Sequence, residues 1–280
     1  MAEQPPLRIA ALGDLHYSRH SKGEHRELLM QAAAAADVLV ICGDLTDYGL
    51  VEEAQLLEED LQHCNKPVIA VLGNHDFESG HHEQLIQVLE HGKVSVLDGE
   101  CMEIEGVGFA GVCGFGGGFG RRMLNAWGEP EIKRFVQEAV DQAMRLERAL
   151  ARLQTPTKVA LLHYSPIRET VVGEDPEIFP FMGSTRLEGP LNRFSVAAAF
   201  HGHAHGGAPQ GATSTGIPVF NVSLPLLRRL HPNKPAFKLF EVPRGAAART
   251  AQTPKVKKRP EPTPVSISRA DQGHVRTAAP

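Results

Sequence analysis

The chain has 280 residues, of which 42% are hydrophobic and 22% charged, and its formal net charge is −4. This length and composition allow one large α/β domain or two small ones, with a sizeable buried core. The charge is uneven, because residues 244–280 hold eight Lys or Arg against two acidic residues. Residues 1–243 are therefore strongly acidic, which argues against non-specific binding to nucleic acid.

The cysteines and the first residues indicate a cytoplasmic protein. Four cysteines show no C-x-x-C spacing, so neither a disulfide scaffold nor a thiolate metal site is predicted. Residues 1–6 lack a basic region followed by an apolar stretch, which a secretory signal would need. No run reaches the roughly 18 apolar residues of a membrane span.

Strands and helices alternate in the first third of the chain. Apolar runs at 7–12, 37–42 and 67–72 predict strands, and residues 24–36, 51–61 and 81–91 predict helices. This order is typical of parallel strands that are joined by crossover helices.

The second part of the chain has a different pattern. Short strands are predicted at 94–97, 101–104 and 107–112, more like antiparallel pieces, before a glycine-rich loop at 114–120 that should be mobile by composition. A helix at 131–153 and strands at 158–162, 196–200, 217–222 and 236–242 follow. We expect two packed sheets flanked by helices in one domain, residues 1–243, and a disordered, basic, Pro/Ala-rich tail at 244–280.

Polar side chains follow five of these predicted strands. They are Asp14, His16, Asp44, Asn74, His163, His203 and His205. Ligands of open α/β sheets bind beyond the carboxyl ends of the strands, so these groups should share one site. A set of oxygen and imidazole ligands without thiolate suits Mn, Fe, Zn or Co. Seven candidates fit two ions better than one.

Each motif alone has a plainer interpretation. A single D-x-H could be a turn, Asp44 or Asp47 could cap the helix that follows, and His163 could be a core histidine. Asp47 could also orient a ligating imidazole. The order and spacing of all five motifs together are far more specific.

The motifs D-x-H, G-D-x-x-D, G-N-H-D, a lone H and G-H-x-H resemble those of the calcineurin-like metallophosphoesterases over residues 7–222. This resemblance implies a four-layer α/β/β/α sandwich of two mixed β-sheets, with a dinuclear centre at the sheet edge. It assigns Asp14, His16, Asp44 and His205 to one metal, with Asp44 bridging to a second metal that also takes Asn74, His163 and His203. It leaves His75 for the chemistry, with Asp76 as the residue that orients it.

The implied reaction is hydrolysis of a small phosphodiester or phosphomonoester. A metal-bridging hydroxide would attack in line, and His75 would assist the leaving group. Mn and Fe are the expected metals, and Zn, Co or Ni would also suit the ligands. The chain is most similar in size and motifs to the small, single-domain branch of cyclic-nucleotide phosphodiesterases.

Other functions stay open at this stage. A nuclease of the same fold is one alternative, and a catalytically inactive scaffold that retains the fold is another. A lipid-precursor pyrophosphatase would need an apolar, basic insertion, whereas residues 173–189 are acidic. Tyr164, Arg168 and that segment could form a lid, and Arg121 or Arg122 could reach the substrate or lie solvated at a helix start. The natural substrate and the oligomeric state are not predicted.

Overall fold

Two β-sheets form the centre of the fold in the computed structural model, which describes residues 5–245. The first sheet contains β1 (Leu7–Leu12), β2 (Val38–Cys42), β3 (Val68–Val71), β4 (Val94–Val96) and β11 (Lys238–Val242), in the spatial order β11-β1-β2-β3-β4. Strands β1 to β4 are parallel, and β11 pairs antiparallel with β1. The carboxyl ends of β1, β2 and β3 therefore lie at one edge.

The second sheet also has a parallel centre. It contains β5 (Glu100–Ile104), β6 (Val107–Gly111), β7 (Thr157–Leu161), β8 (Ala198–His201), β9 (Gln210–Ala212) and β10 (Pro218–Asn221), in the order β5-β6-β7-β8-β10-β9. Strands β6, β7, β8 and β10 are parallel, and β5 and β9 are antiparallel edges. The ends of β7 and β8 therefore also share an edge.

Helices flank the two sheets. The helices within residues 5–245 are α1 (Arg26–Ala35), α2 (Val51–Leu61), α3 (His82–His91), α4 (Pro130–Arg152), α5 (Phe179–Met182), α6 (Glu188–Arg193) and α7 (Leu224–Leu230). Helices α1 and α3 pack on the first sheet and α4 on the second. The fold is thus the predicted α/β/β/α sandwich. No helix within residues 5–245 combines the length and apolar character of a membrane span.

Strand β7 illustrates how two hydrophobic layers arise from one run. Val159 and Leu161 belong to the core between the sheets, whereas Ala160 and Leu162 pack with the helices on the outer face. Successive side chains of a strand point to opposite faces, so a strand buried on both sides is apolar throughout. This run ends directly before His163.

The structure corrects the predicted pairing in the middle of the chain. Strand β4 pairs parallel with β3, and β6 pairs parallel with β7, so only the β5–β6 hairpin is antiparallel there. Its turn residues, Glu105 and Gly106, have φ values of 48° and 81°, as a tight two-residue hairpin requires.

Some elements were not predicted, and some predictions are not tested by the described residues. The sequence did not predict β9 or the short helices α5, α6 and α7. The domain boundary at residue 243 stays a prediction, although Arg244 forms ion pairs with Asp37 and Glu105. Residues 246–280, nearly all of the predicted tail, lie outside the described residues.

Candidate metal centre

The polar groups predicted from the strand ends meet at one place. Three clusters of ligand-type side chains form there: Asp14 with His16 and His205; His16 with Asp44 and His75; and Asp44 with His163 and His203. Within each cluster the ligand atoms lie within 4.8 Å of one another. His16 and Asp44 each belong to two clusters, so the three form one continuous site.

An unusual backbone conformation directs several of these side chains. Asp14, His16, Asp44 and His203 have φ values of 57°, 46°, 47° and 67°. Positive φ is uncommon outside glycine, although Asp and His tolerate it better than most residues. Strain of this kind persists only where surrounding contacts enforce it, and it concentrates at functional sites. Here the Asp14 N–H donates to the Gly43 carbonyl at 2.9 Å, linking the two loops.

The buried carboxylate of Asp14 links both sheets. Its Oδ1 and Oδ2 accept from the His203 backbone N–H at 2.9 and 3.1 Å, and Oδ1 lies 3.0 Å from His205 Nε2. Burial opposes ionisation of Asp14, but its contacts with His205, His163 and His203 bring the net pKa below the usual value. The His205 pKa is raised, mainly by the same contact.

The Asp44 carboxylate stands between two clusters. Its Oδ1 accepts from the His75 N–H at 2.9 Å and lies 3.4 Å from His163 Nε2, whereas its Oδ2 lies 3.7 Å from His16 Nε2. Burial raises the pKa of Asp44, and the neighbouring Asp14 charge adds to this effect. Among the described residues, the buried His16 Nε2 has no hydrogen-bond partner. A cation beside the Asp44 carboxylate would give His16 Nε2 a partner and would favour the ionised form of Asp44.

His163 is oriented by the backbone of the first sheet. Its Nδ1 lies 3.0 Å from the Cys42 carbonyl, and its Nε2 lies 2.9 Å from Asn74 Oδ1. Because a carbonyl can only accept, Nδ1 is the donor in this contact. When Nε2 carries no proton, it and Asn74 Oδ1 face each other as two acceptors, and a cation between them would relieve this.

His203 is held as a neutral imidazole. Its Nε2 donates to the Phe181 carbonyl at 3.2 Å, which leaves Nδ1 with a free lone pair. Burial, followed by the nearby His163, lowers its pKa to about 3. The ring therefore stays in the form that binds metals at neutral pH.

His75 lies at the outer side of the site with its side chain 36% exposed. Its Nδ1 donates to the Asp47 carbonyl at 2.7 Å. Burial lowers the His75 pKa, but the Asp47 carbonyl and the Asp44 and Asp47 carboxylates together raise it by more. The net pKa of His75 therefore lies above the usual value. The Asp47 side chain lies 3.4 Å from His16 Nδ1, as expected for a carboxylate that orients a ligating imidazole.

The structure corrects the predicted role of Asp76. Its Oδ1 accepts from the Thr46 N–H and hydroxyl at 2.9 and 2.6 Å, and its Oδ2 accepts from the Leu45 and Gly73 N–H groups at 3.2 and 2.8 Å. This fully buried carboxylate therefore joins two loops, while a backbone carbonyl orients His75. The two residues are neighbours in a short 3₁₀ turn, and their side chains contact different partners.

The glycines of two motifs have a steric role. A Cβ atom at Gly73 would lie 2.2 Å from both Asp44 N and Asp44 Oδ1, and one at Gly202 would lie 2.3 Å from Asp14 Oδ2. Only glycine permits such an approach. His201, which sequence reasoning left as structural, is buried and contacts the Gly202 carbonyl at 2.7 Å and the Thr170 hydroxyl at 2.8 Å.

Sequence reasoning missed two groups at this site. The Asp47 carbonyl is a backbone atom that no residue type encodes, and the Phe181 carbonyl belongs to residues 173–189, which were considered only as a possible lid. Tyr164, considered as part of the same lid, places its ring 4.4 Å from the His203 ring.

Comparison with known proteins identifies the family. A model of the calcineurin-like phosphoesterases matches residues 7–207, so the chain belongs to this family. No match is found among curated proteins.

Two solved structures have a similar fold. Phosphopantetheinyl hydrolase from Mycobacterium tuberculosis is 17% identical with a TM-score of 0.60, covering 88% of this chain and 99% of its own. The protein TT1561 of Thermus thermophilus is 16% identical with a TM-score of 0.55, covering 84% and 99%. At these identities the likeness concerns the fold alone.

Proposed function

We propose that this protein is a dinuclear-metal phosphoesterase that hydrolyses a small phosphodiester or phosphomonoester. The observation that carries the proposal is the division of the Asp44 carboxylate between two clusters. One oxygen faces His163, the other faces His16, and each cluster contains further ligand-type groups. A shared carboxylate of this kind is expected where two ions lie about 3.5–4 Å apart.

The proposed ligand sets are those that the resemblance implies, and the clusters bring most of their members together. Asp14, His16, Asp44 and His205 would hold one ion, and Asp44, Asn74, His163 and His203 the other. The unpartnered His16 Nε2 and the facing acceptors of His163 and Asn74 support this assignment. Two bound cations would supply hydroxide near neutral pH and neutralise phosphate oxygens for an in-line displacement. Mn and Fe remain the proposed metals, because both suit oxygen and imidazole ligands.

His75 is the proposed group for the leaving oxygen. Because Nδ1 is engaged with the Asp47 carbonyl, Nε2 is the nitrogen left to donate a proton from the imidazolium. A positioned general acid of this kind contributes roughly 10²–10⁴-fold to the rate. Asp76 would contribute indirectly, because its carboxylate holds the loops that carry Asp44 and His75.

A substrate panel on Mn-loaded protein tests the proposal. It should cover cyclic nucleotides, bis(4-nitrophenyl) phosphate, monoesters, dinucleoside polyphosphates and single-stranded DNA. We expect turnover of a small ester well above that of Mn alone, with about two metal ions per chain. A protein that binds little metal and gives only the rate of the metal blank would be an inactive scaffold. Preference for the single-stranded DNA would favour a nuclease.

A further inference from the structure

A cavity of about 190 Å³ lies between the glycine-rich loop and the segment of residues 176–180, which runs into the first turn of α5. The loop contributes Gly117, Gly118 and Phe119, and the segment contributes Pro176, Phe179 and Pro180. This volume is several times the roughly 30 Å³ that one water occupies in the liquid. It is enough for a phosphate or a carboxylated ring.

The wall of this cavity is tied to the metal centre. The Gly117 N–H donates to the Pro180 carbonyl at 2.6 Å, and the Gly118 N–H donates to the Gly183 carbonyl at 2.8 Å. Phe181, next to Pro180, accepts from His203 Nε2 at 3.2 Å. Pro180 at the cavity wall and Phe181 beside His203 are thus consecutive residues of one short helix.

The two charged residues that line the cavity are both basic, although they lie beside the acidic segment of residues 173–189. Arg122 and Arg168 both line it, and no acidic residue appears among its described lining residues. Within residues 5–245 neither guanidinium forms an ion pair. The Arg168 guanidinium carbon lies 5.6 Å from the centre of the Phe179 ring, which helps to hold it at the wall. This is unusual in a body whose charge is strongly negative.

A third arginine, Arg186, contacts a residue of the same wall. Arg186 Nη2 donates to the Leu124 carbonyl at 2.7 Å, and Leu124 also lines the cavity. The other terminal nitrogen of Arg186, Nη1, is buried and has no hydrogen-bond partner among the described residues. Arg186 thus leaves one buried donor without a partner beside a cavity that is also lined by Phe119, Phe179 and Pro180.

We propose that this cavity binds a second anionic group of the substrate, a carboxylate or a phosphate, with Arg122 and Arg168 as the specificity-determining residues. The inference rests on the proposed phosphoesterase function, because the scissile ester must lie at the metal centre. Arginine suits this role, since its planar donors match carboxylate and phosphate oxygens. The preferred substrates are then esters with a further negative charge beyond the scissile phosphate.

Three matched substrates test the proposal on Mn-loaded protein. They are the 4-nitrophenyl phosphate diesters of phenol, 4-hydroxybenzoate and 4-hydroxyphenylphosphonate, which release the same 4-nitrophenolate. We expect kcat/KM to be about tenfold higher for an anionic ester than for the phenyl ester, mainly through KM, as charge-assisted hydrogen bonds would give. The double variant Arg122→Gln with Arg168→Gln should bring this ratio close to one.

The ratio of kcat/KM for two substrates on one preparation cancels the active fraction, so partial misfolding does not imitate the effect. The control variant is Arg121→Gln, because Arg121 is an exposed neighbour of Arg122 in the same turn and is absent from the cavity lining described. It should keep the wild-type ratio. Equal rates for all three esters in the wild type, or an unchanged ratio in the double variant, would overturn the inference.

A binding measurement separates this inference from the proposed function. The sequence has one tryptophan, Trp127, which is exposed and close in sequence to Arg122 and Leu124. We expect phenylphosphonate to change its fluorescence in the wild type and the Arg121→Gln variant, with affinity reduced about tenfold in the double variant. If no ester is hydrolysed but this pattern holds, the proposed function fails and the anion site stands. Equal affinity in all three proteins would reject the anion site itself.

Discussion

The two sheet edges contribute different chemistry to the centre. The first sheet supplies the carboxylates Asp14 and Asp44 and the carboxamide of Asn74, together with His16. The second sheet supplies imidazoles alone, from His163, His203 and His205. Two of the three clusters combine groups from both sheets, so neither edge is complete by itself.

This difference shows how charge is divided at the contact between the sheets. Asp14 of the first sheet has a lowered pKa and is held by the backbone N–H of His203. His203 of the second sheet has a pKa of about 3 and stays neutral. The carboxylates thus come from one sheet, while the other adds imidazoles, of which His203 is held neutral by burial and His205 has a raised pKa beside Asp14. Packing of the sheets and assembly of the centre are therefore coupled.

The largest effect is expected at the carboxylate that serves both sheets. Asp44→Ala should lower turnover by more than about 10⁴-fold, because both proposed ions lose a ligand. Metal analysis should find less than one ion per chain, and hydrolysis of bis(4-nitrophenyl) phosphate reports the activity. Asp141→Ala is the control, since it removes an exposed carboxylate of α4 away from the site. Two ions retained in the Asp44→Ala protein would contradict the proposed bridge.

The next effect separates chemistry from metal binding at the first edge. His75→Ala should lower turnover by roughly 10²–10⁴-fold, because the proposed proton donor is lost. The metal content should stay near that of the wild type. His81→Ala, which removes an exposed imidazole a few residues away, should keep both activity and metal. Loss of metal from His75→Ala would instead identify His75 as a ligand.

A smaller effect tests the corrected role of Asp76. Asp76→Asn should lower the free energy of unfolding by about 2–4 kcal/mol, because one amide oxygen cannot replace a carboxylate that accepts four hydrogen bonds. Urea unfolding of wild type and variant measures this difference. Unchanged stability together with lost activity would restore a direct role beside His75.

The smallest effect is expected at the opposite end of the first sheet. Asp37, just before β2, pairs with Arg8 at 3.0 Å, and this partner lowers the Asp37 pKa to about 2. The unfolded value is near 3.9, so the stabilisation is present above that pH and is lost as the pH falls toward 2. Asp37→Asn should cost less than about 1 kcal/mol at pH 7, because the pair is partly exposed.

Urea unfolding at pH 7 and pH 2.5 checks this prediction. The difference between wild type and Asp37→Asn should shrink at the lower pH. Asp141→Asn on α4, where the carboxylate accepts from Gln137, is the control for loss of an exposed charge. A difference that grows on acidification would contradict the assigned pair.

Much of the fold could be predicted because its signals are local. The run before His163 is apolar throughout, as a strand buried on both faces must be, and residues 51–61 repeat at helical spacing in agreement with α2. The antiparallel prediction for residues 94–97 was wrong because the sequence of a short strand does not indicate which strand it pairs with. Helices α5, α6 and α7 have 4, 6 and 7 residues, too short for a clear period.

The sequence by itself determined the ligand types, their order and the strands that carry them, because each motif follows directly after an apolar run. Only the tertiary structure decided which groups surround them. Asp76 binds loop N–H groups, His75 contacts a backbone carbonyl, and Gly117 meets Pro180 across more than sixty positions of sequence. Such contacts depend on how distant segments pack, and backbone atoms are the same at every residue, so no residue pattern can encode them.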